Sequence, residues 1–364
     1  MNRISDLTEH ILFPTDRIRL KLHFFKNKAR IFLIPFIDKA ILIKTLLKGL
    51  MYLQLFERRR PNILIYLEAL LARTPFHHPT YGDVKEKVRT WTAGYAGERW
   101  FDRIWHDYAS DEVFRVIPDF AIPAHQMDAV CVFSKFIVII EIKNIGGVIE
   151  MNGMTRQFTR TLHTETMGMR NPDDQLYRHE KKIRQLTNNK IPVIGIVVFT
   201  SPSSILKLEA VERRVIHLSG FPFVLDQLIE QYGAYPSFDV PQLCDLLLAH
   251  QCPPTAYQSE PITFPLQTGV FCPACSFSKM VYSRDLWRCL NCSNRQQDAH
   301  LLALQDYRLL IANSISNQEF RSFTEMESRS NAVKILKRCG YKTVGNHKSL
   351  RYLIPEMDLR NKAK

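Results

Sequence analysis

The spacing of apolar residues changes period several times along the 364-residue chain. In ILIYLEALLAR (63–73) they recur every three or four positions, which predicts a helix that His77-His78-Pro79 brings to an end. A second helix is expected over Val84–Tyr108, with Phe101, Ile104, Trp105 and Tyr108 as its apolar stripe. Three runs rich in β-branched and aromatic residues follow and predict strands: VFRVIPDF (113–120), MDAVCVFS (127–134) and FIVIIEIKN (136–144). Asn171-Pro172 opens a polar helix that runs to about Leu186. PVIGIVVFT (192–200) reads as a buried strand, RVIHL (214–218) as another, and FPFVLDQLIEQY (221–232) as a helix. Helix, three strands, helix, strand is the order of a mixed α/β sheet covered by helices.

Ahead of this region, IFLIPFIDKAILIKTLLKGLMYLQLF (31–56) is the most apolar window. Asp38, Lys39, Lys44 and Lys48 interrupt it and Pro35 lies near its start, so it does not read as a membrane span. Ile41, Leu42, Thr45, Leu46 and Leu50 fall at helical spacing. A basic helix lying on a membrane surface is one reading; a packing helix or a peripheral extension is the favoured one. Behind the sheet region, QCPPTAYQSEPITFPLQTG (251–269) is rich in Pro and polar residues and reads as a linker.

Composition narrows the partners. Hydrophobic residues at 46% and charged residues at 23% describe a folded globular chain and exclude global disorder. The formal net charge of +13 suits a polyanion, either nucleic acid or an anionic membrane surface. Residues 1–50 carry ten Lys/Arg against four Asp/Glu, a surplus of six, which leaves +7 for the rest. Eight cysteines are too few for a disulfide scaffold. The opening MNRISDLTEH has no apolar signal-peptide core, so a reducing cytoplasmic setting is expected.

Candidate chemistry concentrates at Asp128 and at Glu141-Ile142-Lys143. Glu141 and Lys143, two apart on a strand, point to one face. With the loop centred between Ser134 and Lys135, position i pairs with 269 − i, and Asp128 falls opposite Glu141. Two facing carboxylates between apolar runs repel and are costly to desolvate. A divalent cation removes that cost, and hard oxygen donors suit Mg²⁺ or Mn²⁺. Lys143 is then placed to orient or deprotonate a water, or to steady charge on a phosphate. Glu98, three residues before Phe101, faces the same way as the helix stripe. Gln175 and His179, one turn apart, are further candidates to reach a phosphate or the metal shell. Asp119 is a rival first acid that precedes the hairpin and lacks the facing geometry. The bland alternatives are a solvated E-x-K pair at a strand end and a solvated polar helix face.

Tyr95-Ala96-Gly97-Glu98, Gln126-Met127-Asp128, Ile140-Glu141-Ile142-Lys143-Asn144 with Gly147, and Asn171-Pro172 followed by Gln175 resemble the successive motifs of the nuclease-related domain (NERD) family. The resemblance covers roughly residues 90–200. That family is grouped with the PD-(D/E)XK nucleases, so the resemblance implies a restriction-endonuclease-like mixed sheet flanked by helices. It further implies Asp128 and Glu141 as ligands of Mg²⁺ or Mn²⁺, Lys143 as the catalytic lysine, and Glu98 and Gln175 as supporting site residues. The sequence departs from the pattern at the hairpin turn, where Phe136 stands in place of an expected glycine.

Cys272-Pro273-Ala274-Cys275 and Cys289-Leu290-Asn291-Cys292 form C-x2-C-x13-C-x2-C. Two such knuckles close a tetrahedral Zn²⁺ site with no position left open, so its role is structural. Cys131, Cys244, Cys252 and Cys339 read as ordinary thiols. Residues 299–358 suggest two short helices and a Gly-containing hairpin, like a winged helix-turn-helix. There Arg329, Lys334, Lys337, Arg338, Lys342, Lys348 and Arg351 are candidates to face phosphates, a small basic packing domain being the alternative.

The expected organisation is a basic N-terminal extension (1–60), a helical lead-in and nuclease-like domain (61–245), a linker (246–269), a zinc ribbon (270–298) and a small winged-helix-like domain (299–364). The expected function is metal-dependent phosphodiester hydrolysis in DNA processing. A DNA-binding or regulatory protein that keeps the nuclease fold without cleavage is the alternative.

Overall fold

The computed structural model describes residues 58–252 except 109 and 111, residues 261–357 except 276 and 277, Leu359, and four two-residue strands between His10 and Ala29. Residues 1–54 form a unit of their own. Within it, His10–Ile11 pairs with Leu20–Lys21 and Phe24–Phe25 with Lys28–Ala29, both antiparallel. The amphipathic helix expected within 31–56, and with it the membrane-surface reading, lies outside the described residues. No helix among the described residues is long and apolar enough to cross a membrane.

The second unit opens with α1 (Asn62–Arg73) and the long α2 (Tyr81–Asp107), both where apolar spacing predicts them. A meander follows: β1 (Phe114–Ile122), β2 (His125–Phe133) and β3 (Ile137–Lys143). Val132 pairs with Ile137 and Ala129 with Ile140, the register expected from a loop centred on Ser134-Lys135. Phe136 does not disturb it. Its ring stacks on Phe133 at 4.6 Å and is buried, so an aromatic side chain anchors a turn where glycine was expected.

Beyond β3 the chain forms β4 (Gly147–Asn152), β5 (Phe158–Leu162) and β6 (Glu165–Gly168), then α3 (Pro172–Leu186). Asn171 caps α3 by accepting the Asp173 backbone N–H at 2.9 Å, and Pro172 occupies its first turn. β7 (Val193–Phe199), β8 (Ser204–Glu209) and β9 (Arg214–His217) follow, then α4 (Phe221–Gln231) and α5 (Val240–Leu248). β7 joins β3 in parallel and β9 joins β7 in parallel, so the main sheet runs β9-β7-β3-β2-β1. A second sheet, β6-β5-β4-β8, is absent from the sequence expectations. β6 is exposed throughout and shows no apolar alternation to read.

Strand alternation sorts the main sheet into two cores. Val130, Val132, Ile137 and Ile139 point to one face, with Leu176 and Ile183 of α3 and Ile149 of the second sheet. Ala129, Cys131, Val138 and Ile140 point to the other, with Phe101 and Trp105 of α2 and Leu225 of α4. The chain is thus a mixed α/β protein with mixed sheets flanked by helices.

The C-terminal part holds an antiparallel sheet, β10 (Val270–Phe271), β11 (Lys279–Ser283), β12 (Leu286–Cys289) and β13 (Arg295–Gln296). Then come α6 (His300–Leu310), β14 (Ser314–Ile315), α7 (Asn317–Thr324), α8 (Arg329–Arg338), β15 (Thr343–Val344) and β16 (Arg351–Leu353). β16 lies between β14 and β15, so three helices carry a small three-stranded sheet. One apolar core joins Met280 and Trp287 of the cysteine-bearing sheet to Leu304, Phe320 and Ile335 of the helices. Arg73 at the end of α1 is buried against the same body. It donates to Asp306 at 2.8 Å and to the Gly269 carbonyl at 2.7 Å.

Candidate active site

The candidate centre lies where α2 crosses the carboxyl ends of the parallel strands β3 and β7, the end of such a sheet at which ligands bind. Gly97 makes that crossing possible. A Cβ on it would stand 2.4 Å from Asn144 Cβ and 2.7 Å from Thr200 Oγ1, just beyond the two strands. Asn144 also donates to the Ala93 carbonyl at 2.7 Å, tying helix to strand end.

Asp128 and Glu141 each lie one residue beyond the β2–β3 ladder, and their charges act on one another. The ladder's last pair is Ala129–Ile140, beyond which the Asp128 carboxylate itself accepts the Ile142 backbone N–H at 2.6 Å. Glu141 is 2% exposed. Its Oε1 accepts from Lys143 Nζ at 2.6 Å, whereas its Oε2 is buried without a hydrogen-bond partner among the described residues. A buried carboxylate oxygen left open is costly unless a cation meets it. Asp128 and Glu141 therefore fit a hard divalent ion by their chemistry.

The sequence reading placed Asp119 outside this geometry, and the structure corrects it. In the β1–β2 ladder Pro118 pairs with Ala129 and Phe120 with Met127, so Asp119 stands opposite Asp128. Asp119 takes a left-handed φ of 52°, which aspartate tolerates better than most residues, and the pairing is interrupted there. Asp119, Asp128 and Glu141 thus occupy one row across three strands. A two-residue turn at Pro123-Ala124 was the missed signal, because it sets this register.

Arg58 and Asp102 were also missed. Arg58 has a side chain only 3% exposed. It donates to Asp102 in bidentate fashion at 2.7 and 3.1 Å, to Asp119 at 2.6 Å, to Glu98 at 3.3 Å and to the Asp128 carbonyl at 2.9 Å. Nothing in its sequence neighbourhood marks it.

The electrostatics follow from burial. Desolvation, then the charge of Asp128, pushes Glu98 up to about 8 despite Arg58. Burial and Asp128 push Glu141 up to about 7, with Lys143 working against them. Burial raises Asp119 to about 6, and it raises Asp128 although the Ile142 N–H and Lys143 oppose the change. Burial works against the charge of Arg58, but Asp102, Asp119 and Glu98 hold its pKa well above the ordinary arginine value. The centre is short of positive charge.

Gln175 and His179 stand differently. Gln175 is half-buried in the first turn of α3, the helix covering the Asp128–Glu141 face, and it hydrogen-bonds neither carboxylate. His179 is buried against His125, ring centroids 5.4 Å apart, with burial and then His125 pulling it down to about 4. It faces the β1–β2 turn rather than the carboxylates, because one helical turn past Gln175 carries it along the strand direction.

The four cysteines meet. Their sulfurs all lie within 4.8 Å of one another. Cys272 to Cys292 is 3.6 Å and Cys275 to Cys289 is 3.9 Å. Tetrahedral Zn–S bonds of about 2.3 Å require S···S separations of about 3.8 Å, so the set fits zinc. Burial raises the Cys272 thiol, but the Cys275 and Ala274 N–H groups outweigh it and bring it down to about 7.

The basic residues of the tail are only partly free. Lys334 donates to Asp285 of the β11–β12 turn at 2.7 Å, and Arg351 donates to Ser314 at 2.8 Å and Glu319 at 3.2 Å. Arg329, Lys337, Arg338 and Lys342 are exposed; the Lys348 side chain is outside the described set.

These features agree with the family comparison. Residues 93–200 match the family model described as the nuclease-related domain (NERD), which contains Glu98, Asp119, Asp128, Glu141, Lys143 and Gln175. The chain thus carries a segment that matches the nuclease-related domain model and, further along the sequence, a four-cysteine cluster. No curated protein and no solved structure matches the chain.

Proposed function

We propose that the domain is a metal-dependent nuclease of the PD-(D/E)XK type, acting on DNA. The reading rests on one observation: the unpartnered, buried Glu141 Oε2 beside Lys143, on a strand paired to that of Asp128. Asp128 and Glu141 would hold Mg²⁺ or Mn²⁺. When bound, such an ion supplies positive charge to a phosphate oxygen and a water of lowered pKa. Asp128 is fixed by the Ile142 N–H, which aims its carboxylate along the strand end. Lys143 is held by Glu141 with its side chain 28% exposed, so its ammonium remains able to donate to a phosphate oxygen or to a water near it. Gln175, one turn into α3 over the same face, is a candidate contact to substrate. Zn²⁺ on Cys272, Cys275, Cys289 and Cys292 would be structural, and the exposed cations of α8 would add phosphate contacts.

The test is a panel of single- and double-stranded DNA and RNA incubated with Mg²⁺, Mn²⁺ or neither, comparing wild type with Glu141→Gln and Lys143→Ala. Cleavage by wild type that needs the divalent ion and is lost in both variants is expected. Equal cleavage by wild type and Glu141→Gln sinks the proposal. Tight DNA binding with no cleavage under any condition would favour a binding protein that retains the fold.

A further inference from the structure

The chain places a permanent cation inside the acidic centre. Arg58 comes from before α1, outside the nuclease-related segment, yet its guanidinium makes five contacts there. Three carboxylates, Glu98, Asp102 and Asp119, surround it, and the Asp128 carbonyl completes the set. Guanidinium is planar, permanently charged and suited to bidentate carboxylates, so it serves as a fixed charge that cannot be titrated away.

Charge limits what else the centre can hold. Above about pH 8, where Glu98 and Glu141 are ionised as well, Glu98, Asp102, Asp119, Asp128 and Glu141 bring five negative charges, and Arg58 and Lys143 bring two positive ones. The balance of three is nearly cancelled by one divalent ion. Without Arg58 the balance is four, which two divalent ions would cancel. Arg58, Glu141 and Glu98 are buried or nearly so and Asp102, Asp119 and Lys143 half-buried, and Coulomb interactions at such depth are strong enough for this count to weigh on occupancy.

We propose that Arg58 is a positioning residue that stands in for a second metal ion. Its guanidinium fixes Glu98 and the Asp128 strand and confines the centre to a single divalent ion on Asp128 and Glu141. This rests on the nuclease reading only in that Asp128 and Glu141 bind an ion. In this arrangement Glu98 and Asp119 serve Arg58 and do not ligate metal.

The experiment is a Mn²⁺ titration of the full, zinc-loaded chain, with free Mn²⁺ read by electron paramagnetic resonance. Wild type should bind one Mn²⁺ that Glu141→Gln loses. Arg58→Met should bind two, and adding Asp102→Asn and Asp119→Asn to it should return the number to one. Arg58→Met that binds one ion with wild-type affinity overturns the proposal and leaves the nuclease reading intact. Wild type that binds no Mn²⁺ overturns both. Should Arg58→Met fail to fold, the wild-type spectrum at excess Mn²⁺ decides alone. An isolated six-line ion supports the proposal, and a spin-coupled Mn²⁺ pair refutes it.

Discussion

Replacing Glu141 by Gln should stabilise the protein in the absence of Mg²⁺ or Mn²⁺, although it removes a salt bridge. Glu141 is buried, faces Asp128 and titrates at about 7 instead of the ordinary 4.5 of a glutamate. A carboxyl whose pKa is raised by folding favours the fold below about pH 4.5, and that contribution drains away as pH climbs through 7. The gap between 4.5 and about 7 corresponds to about 3 kcal/mol at pH 8, where the group is charged in both states. Glutamine has no charge to desolvate. The variant should therefore match wild type within ~0.5 kcal/mol at pH 4.5 and exceed it by up to about 3 kcal/mol at pH 8. For a body of this size that is roughly 5 °C in melting temperature. Mn²⁺ should invert the order, because an ion at a thousand times its Kd adds about 4.1 kcal/mol to wild type alone. Differential scanning calorimetry of zinc-loaded protein from pH 4.5 to 8, with and without Mn²⁺, reads all of this. A variant that melts below wild type at pH 8 without Mn²⁺, or a difference that does not grow with pH, would refute the account of Glu141 as a buried carboxylate awaiting a cation.

Other substitutions probe separate parts. Gly97→Ala should push α2 off Asn144 and Thr200, cutting Mn²⁺ affinity at least tenfold while zinc content stays constant; unchanged affinity would mean that the close approach is not needed. Cys275→Ser should release bound zinc, measured by elemental analysis, and loosen Trp287, whose fluorescence should shift because it packs in the core shared with the helices. Arg73→Met takes from the buried Asp306 carboxylate the guanidinium that donates to it and should cost about 3–5 kcal/mol in a denaturant melt; Asp306→Asn added to it should recover part of the loss. Lys337→Ala with Arg338→Ala should lower the slope of log affinity against log salt for DNA by about one per lost contact, and an unchanged slope would assign α8 to packing.

Much of the centre is visible in local chemistry. The register of β2 on β3 follows from the loop at Ser134-Lys135 and the two-residue period of a strand, and the ladder has it from Val132–Ile137 to Ala129–Ile140. The four-cysteine spacing likewise points to one site, because each knuckle is local and needs only one long-range meeting. The helices α1, α2 and α4 and the strands β1, β2, β3 and β7 lie where apolar periodicity puts them, since each buries a broad face, and α3 starts where Asn171-Pro172 marks a helix opening. The second sheet is different. β6 and β8 earn their pairing from neighbours rather than from burial of their own side chains, so they carry little period to read. Asp119 depended on the register of a second hairpin and on a left-handed backbone angle. Arg58 depended on more still. Its partners lie 40 to 70 residues away in sequence, on a helix and two strands, and a long flexible cation shows no local preference for any of them. Sequence by itself determined which residues are candidates for the chemistry and how neighbouring strands register. Only the tertiary structure decided which distant charges share the site, because that choice is made by desolvation in a volume that no local segment encloses.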